Sequence, residues 1–351
     1  MSSVERTSKQ ELLENILAGL TVSFVAISLG AAFGLLSGRG AFAGMISAGL
    51  IATVTALLGG TRVQCSGPTG PMTAVTAVLV AKAYERFSTE LPDVSPDHAV
   101  NITIMMMAAL ILVFAVLRLG KFAAYVPNVV VSGFMNGIAI IIWVDQFKKL
   151  FGWGGQTRFE GSYTQNILLF AGSLVIIFTI PKFTRRFLPK FQSLLSATIL
   201  TLIIATAIAY VLGLDVERVQ LTSSLKSPGD FSDLVAAHWP TNWSSEVLRF
   251  AFPFALQLAF LAYLDTLLTS LVVDKMTGES TKPNKELVAQ GVAGGLVALV
   301  GGIPGAQATI RSVLIVNERA TMRLAGVLVG VFALVEMVLF QDTINLIPQA
   351  V

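Results

Sequence analysis

A chain of 351 residues that is 54% hydrophobic and only 13% charged has too few charges to coat soluble domains, which carry about 25%. A polytopic membrane protein is what this composition leaves. A formal charge of +3, with no basic stretch interleaved with aromatics, excludes a nucleic-acid partner; the lone cysteine, Cys65, excludes an intrachain disulfide framework, and His98 and His238 lack metal-ligand spacing.

The polar head, residues 1–14, has no apolar h-region and no small-residue cleavage site, so the first span is not a removable signal peptide. Runs of about 18 or more mainly apolar residues predict spanning helices, because only a helix satisfies its own backbone in lipid. They fall at 16–36, 42–59, 101–117, 122–145, 163–181, 192–213, 246–273, 285–300 and 322–340. Two shorter, more polar segments begin near Pro68 and Gly305, each after a glycine pair, Gly59-Gly60 and Gly301-Gly302. Counting both gives eleven passes. With the N-terminus placed in the cytoplasm, fourteen of the 24 Lys and Arg residues fall inside, nine outside, and Arg311 within the membrane, the sense the positive-inside rule requires.

The polar stretch 214–245 reads as an extracytoplasmic loop and divides the chain into seven passes before it and four after. Seven is odd, so a second copy of the first half inserts upside down, the inverted-repeat design of many secondary transporters. The two glycine-led segments then occupy equivalent third positions. Such a pair of interrupted segments points to a transporter's binding site.

In the first, Ser66-Gly67-Pro68-Thr69-Gly70-Pro71-Met72-Thr73 reads as loop followed by a helix that starts within the membrane, since proline in a first turn loses no hydrogen bond. Free N–H groups and the positive dipole end attract an anion there, with Thr69 and Thr73 as added donors; a plain turn is the alternative. In the second, Gly305-Ala306-Gln307-Ala308-Thr309-Ile310-Arg311-Ser312 repeats the pattern, so two positive helix ends face each other across an anion. Arg311 either serves that anion or snorkels towards the cytoplasm. Asp265 has fifteen uncharged residues before it, back to Phe250, and eight after it, too deep to reach an interface. Thr269, at i+4, shares its helix face. A carboxylate and a hydroxyl one turn apart are hard oxygen ligands suited to Na+; the alternative is a bridge from Asp265 to Arg311.

Other residues suggest plainer roles. Asp145 reads as interfacial and Glu336 as a deep carboxylate without an assigned role. Met105-Met106-Met107 reads as apolar packing, and Gly30, Gly34 and Ser28 as a close helix contact. No nucleophile elbow, Walker sequence, His-x-x-x-His or CxxC occurs, so an enzyme or an ATP-driven pump has no visible engine.

Gly19-Leu20-Thr21, Leu58-Gly59-Gly60-Thr61, the Ser66–Thr73 segment, Asp265-Thr266-Leu267-Leu268-Thr269-Ser270 and Asn284-Lys285-Glu286-Leu287-Val288-Ala289-Gln290-Gly291 together resemble the sulfate permease (SulP) family of anion transporters. They resemble its cyanobacterial sodium-dependent bicarbonate type more than the animal branch, which usually has glutamate at the position of Asp265. The resemblance implies an all-α, inverted-repeat fold of seven plus seven segments. A core domain is expected from 15–121 and 246–340, and a gate domain from 122–213 with its second part starting at 341–351. The chain thus holds about eleven segments plus the start of a twelfth, without the family's last segments or its STAS domain. By resemblance, Thr69, Gly70, Ala308, Thr309 and Arg311 contact the anion and Asp265, Thr269 and Thr309 hold Na+ as coupling ion, no other cofactor being implied. Two positions depart from the family pattern: Ser28 stands where many members have proline, and Arg311-Ser312 is similar to the Arg-Ser or Arg-Thr pair of other branches. The implied activity is sodium-coupled bicarbonate uptake across the bacterial inner membrane by a homodimer. Proton-coupled uptake of sulfate or a dicarboxylate, or an anion channel, are the alternatives.

Overall fold

The structure, a computed structural model, describes residues 8–89, 94–125, 128–153, 158–187, 197–218, 228–340 and 346–348. Residues 1–7 of the expected head, Lys190, Lys226 and most of 341–351 lie outside the described residues, as does the Asp145 side chain. Two compact units divide the chain: Met1–Gly133 with Ser223–Val338, and Phe134–Thr222 with Leu339–Val351.

Among the described residues there are twelve α-helices and two short strands. In order they are α1 (Ser8–Leu36), α2 (Gly40–Leu58), β1 (Ser66–Pro68), α3 (Gly70–Thr89), α4 (Pro96–Val116), α5 (Asn128–Phe151), α6 (Tyr163–Phe187), α7 (Ala197–Val211), α8 (Pro228–His238), α9 (Ser245–Thr277), α10 (Pro283–Leu299), β2 (Gly305–Gln307), α11 (Thr309–Asn317) and α12 (Arg323–Leu339). Five of the helices, α1, α2, α4, α6 over Tyr163–Ile180 and α9, are long and apolar enough to cross a membrane on length and composition. α10 and α12, at 17 residues each, fall just short of the 18 such a span takes.

Three expectations change. The span read at 122–145 starts later, because Leu119–Tyr125 forms a 3-10 helix and α5 begins at Asn128, immediately after Pro127, a residue that opens a helix but interrupts one running through it. The stretch read as a polar loop contains α8, which starts at a proline and carries Asp230 in its first turn, both helix-start signals. The segments near Pro68 and Gly305 contain strands as well as helices.

Helix ends follow local chemistry. Ser244 caps α9, its hydroxyl accepting from Val247 N at 3.4 Å, and Gly278 closes it in the left-handed region at φ 72°, where L side chains are disfavoured. Proline opens α4 and α10, where its missing N–H has no intrahelical partner to lose. Arg323 at the start of α12 donates to the Gly59 carbonyl at 2.8 Å, satisfying the C-terminal end of α2. Asn15 on α1 does the reverse service: its Oδ1 accepts from Thr321 N and Met322 N, both at 2.9 Å, ahead of α12.

The core of the first unit is built on small residues. A methyl group on Gly44 of α2 would collide with the Gly30 carbonyl oxygen of α1 and lie 2.7 Å from Gly34 N, and one on Gly30 would lie 2.8 Å from Gly44 O. Gly30 and Gly34 thus mark the expected close contact, the arrangement that lets helix backbones approach in membranes. The Ser28 hydroxyl donates back to the Phe24 carbonyl of its own helix. Ala18, Val22 and Ala26 of α1 pack with Ala52, Val63, Cys65, Ile315, Ala325 and Val329, seating both short strands' flanks on the α1–α2 pair. Met107 is buried, its methyl against Gly294, as plain packing predicts. In the second unit, Leu169 of α6 packs with Ala205 and Ala209 of α7 and with Val216.

Candidate functional site

The two glycine-led segments meet. β1 and β2 pair antiparallel in the register Ser66↔Gln307, Gly67↔Ala306 and Pro68↔Gly305, and the Ala308 N–H extends the ladder to the Cys65 carbonyl at 3.1 Å. A helix follows each strand after one residue, Thr69 before α3 and Ala308 before α11. The first helical bonds are equivalent, Thr73 N to Thr69 O at 2.9 Å and Ser312 N to Ala308 O at 2.8 Å. The N–H groups of Gly70 and Met72, and of Thr309, Ile310 and Arg311, therefore precede the first intrahelical donor of their helices. The two half-helix starts are thus brought together, as expected, and the strand pair that ties them is an addition the sequence did not announce. Ala308 needs correction, because its own N–H is taken by Cys65 and is not a free donor.

One face of α9 lines this junction. Residues 265, 266, 269 and 270 share that face by helical spacing. Thr69 Oγ1 donates to Asp265 Oδ2 at 2.8 Å. Thr266 Oγ1 accepts from Gln307 N at 3.3 Å. Thr269 and Thr309 join hydroxyl to hydroxyl at 2.6 Å, and Ser270 Oγ donates to Gln307 Oε1 at 2.7 Å. Asp265 is 9% exposed. α9 thus presents four oxygen-bearing side chains in two turns, the first and third aimed at the starts of α3 and α11. This is a hard-oxygen set in which Asp265, Thr69, Thr269 and Thr309 are the side chains able to ligate a small cation.

Arg311 lies at 1% exposure and does not snorkel. Nor does it bridge to Asp265: no ion pair joins them among the described residues, and Nη2 donates instead to the Pro68 carbonyl at 2.8 Å. Its Nε and Nη1 are buried without a hydrogen-bond partner. The guanidinium rests against Gly67, where a methyl group would lie 2.8 Å from Nη1 and displace it; φ there is 155°, a backbone conformation that favours glycine. A buried cation with two unused N–H groups costs several kcal/mol, which an anion accepting from them would offset. Thr73 Oγ1, the other donor anticipated near the start of α3, is likewise buried and unpartnered.

A second polar layer supports the strands, and the residue reading of the sequence gave it no role. Glu286, in the first turn of α10 and 0% exposed, accepts through Oε2 from Gly60 N at 2.7 Å and Thr61 N at 2.9 Å, and through Oε1 from Gln64 Nε2 at 2.9 Å. Gln64 Oε1 accepts from Ser66 Oγ, and Ser66 Oγ accepts from Gln290 Nε2, each at 2.7 Å. A chain of donors therefore runs from α10 to the first residue of β1. The available signal was Glu286 with Gln290 at i+4, two polar residues on one helix face.

Residues 12–351 match the sulfate permease family. The bicarbonate transporter BicA of a Picosynechococcus species is 31% identical over 340 residues, covering 93% of this chain and 57% of that protein. The putative sulfate transporter YbaR of Bacillus subtilis is 27% identical over 354 residues, covering 98% of this chain and 66% of that protein. This chain spans less than two thirds of the length of either. The solved transmembrane domain of a cyanobacterium bicarbonate transporter BicA superposes with a TM-score of 0.82 at 27% identity, covering 98% of this chain and 86% of that one.

Proposed function

The chain belongs to the sulfate permease family, and we propose that it is a secondary transporter that carries bicarbonate inward together with sodium. The observation that carries this reading is the joint placement of the Thr69–Asp265 and Thr269–Thr309 pairs at the two helix starts, one helical turn apart on α9. Sodium at Asp265, Thr269 and Thr309 cancels the carboxylate charge. The anion then binds at the N–H groups of Gly70 and Thr309, beside Thr69 and Ala308, with Arg311 supplying Nε–H and Nη1–H. Each ligand raises the affinity for the other, a positive coupling free energy between adjoining sites. The unit that holds Asp265 moves as a largely rigid body between two access states, in a bacterial inner membrane with the N-terminus cytoplasmic and the protein acting as a homodimer. The relatives named for bicarbonate support this choice of anion.

Arg311 favours a second reading. A permanent buried cation suits a divalent anion, and a relative named as a putative sulfate transporter also matches along nearly the whole chain. In that reading the transport is proton-coupled sulfate uptake, with Asp265 as the protonated group. Uptake of radiolabelled bicarbonate, sulfate and fumarate into proteoliposomes, each with and without a sodium gradient and across pH, separates the two. The expected result is bicarbonate uptake that needs sodium and is lost in Asp265→Asn. Bicarbonate uptake that is indifferent to sodium overturns the coupling, and sulfate uptake driven by a pH gradient selects the second reading.

A further inference from the structure

Glu336 stands apart from the site just described. It lies on α12, 5% exposed, and its Oε1 is 2.6 Å from Ser23 Oγ on α1. Its Oε2 is buried with no hydrogen-bond partner. Ser23 Oγ is also 2.7 Å from the Leu20 carbonyl oxygen. Three oxygens thus form two short contacts in a row, Leu20 O to Ser23 Oγ to Glu336 Oε1.

The hydrogens can be counted. A backbone carbonyl only accepts, and a serine hydroxyl carries one hydrogen. If Ser23 gives that hydrogen to Leu20, the second contact has a hydrogen only when the carboxyl supplies it. An ionised Glu336 would need the Ser23 hydrogen for itself, would strip the Leu20 contact of its proton, and would still leave a charged Oε2 buried and bare. Among the described residues of α1, α2 and α12, no cation lies near enough to offset that charge. On α1 the ionisable residues are Lys9, Glu11 and Glu14, all nine or more residues before Ser23. α2, which packs on α12 at Gly49 and Thr53, has none. On α12 itself only Arg323 is present, thirteen residues before Glu336. At 1.5 Å per residue that is about 20 Å along the helix.

We propose that Glu336 is a proton-binding site: a neutral carboxylic acid that donates from Oε1 to Ser23 Oγ, which in turn donates to the Leu20 carbonyl. Oε2 is then the carbonyl oxygen of the acid, and leaving it unpartnered costs far less than leaving a carboxylate oxygen bare. The ligand is a proton, bound between the first and last helices of the unit and independent of the anion and sodium assigned above. Releasing it requires α1 and α12 to separate enough for water or a cation to reach the charge.

Infrared difference spectroscopy of the full chain in lipid vesicles tests the assignment without any transport readout. A carboxylic-acid C=O band that shifts in D2O is expected at neutral pH, lost in Glu336→Gln and retained in Asp265→Asn. Persistence of the whole band in Glu336→Gln, or its absence from the unmutated chain, overturns the proposal. Should Glu336→Gln fail to fold, Ser23→Ala provides the same decision: removing the acceptor moves the band to the frequency of a free acid, and an unmoved band refutes the pairing. Thermal unfolding gives a second measurement. The unmutated chain is expected to lose stability as pH rises above the ordinary carboxyl range while Glu336→Gln, a neutral isostere that keeps a donor for Ser23, is less pH-dependent. Identical pH profiles for the two overturn the proposal.

Discussion

Replacing Glu286 by alanine removes the acceptor of three donors at once, the half-buried Gly60 N–H and the buried Thr61 N–H and Gln64 Nε2–H. Each buried donor left without a partner costs about 1–3 kcal/mol, and bonds to a charged acceptor lie at the upper end. Three such losses add to roughly 3–9 kcal/mol, and water entering the space left by the side chain recovers part, so a destabilisation of about 3–5 kcal/mol is expected. That is beyond the reach of most single substitutions. Glu286→Gln is the informative companion. Its amide oxygen still accepts from Gly60 and Thr61, but its NH2 then meets the NH2 of Gln64, and Gln64 cannot turn round without giving up Thr55 O and Ser66 Oγ. About half the alanine loss is expected. Reversible unfolding in mixed micelles measures both. An alanine variant within about 1 kcal/mol of the parent refutes the view that this carboxylate holds β1 in place.

Arg311→Gln keeps a donor for the Pro68 carbonyl but removes the charge and the two free N–H groups; about 1.5–3 kcal/mol of anion binding is at stake, a 10- to 150-fold rise in Kd, and unchanged anion affinity by calorimetry excludes a role at the site. Gly44→Ala places a methyl group against the Gly30 carbonyl and Gly34 N, so α1 and α2 must separate, with an expected loss of about 1–3 kcal/mol or more in the same unfolding assay; a silent substitution shows that the helices do not touch there. Asn15→Ala uncovers the N–H groups of Thr321 and Met322, a capping loss of about 0.5–2 kcal/mol that faster amide exchange over the first turn of α12 reports.

How far the sequence reveals this structure depends on how local each cause is. Apolar runs announce their own helices, and Pro71 and Pro283 mark starts because a first-turn proline gives up nothing. The close contact at Gly30 and Gly34 is legible for the same reason: small residues one turn apart have one obvious use in a membrane. The strand pair is not legible. Ser66–Pro68 and Gly305–Gln307 are three residues each, too short for an alternating pattern, and each is a strand only because the other lies beside it. Glu286 fails for a related reason. An acid in a first turn is the commonplace complement to a helix dipole, and only the arrival of Gly60, Thr61 and Gln64 from far along the chain turns it into an anchor. Arg311 was legible as costly but not in its partner, since a backbone carbonyl at Pro68 leaves no mark in a sequence.

The strand register carries an argument of its own. Pairing Gly67 with Ala306, and Ser66 and Pro68 with Gln307 and Gly305, is unchanged when the two strands are exchanged, as an inverted repeat demands of elements at equivalent positions. The equivalence ends at the chemistry. α9 brings Asp265, Thr266, Thr269 and Ser270 to the junction, whereas the carboxylates of α1 are Glu11 and Glu14 near its start. α11 brings Arg311, where the matching position of α3, two residues past its first, is Met72. A symmetric scaffold therefore holds a one-sided charge arrangement, with an acid from α9 and a guanidinium from α11 both drawn to the β1–α3 turn, at Thr69 and Pro68. Opposite charges held apart by their own hydrogen-bond partners, with no bridge between them, leave each able to take a ligand of opposite sign. A direct Asp265–Arg311 pair would have satisfied both and left nothing to bind.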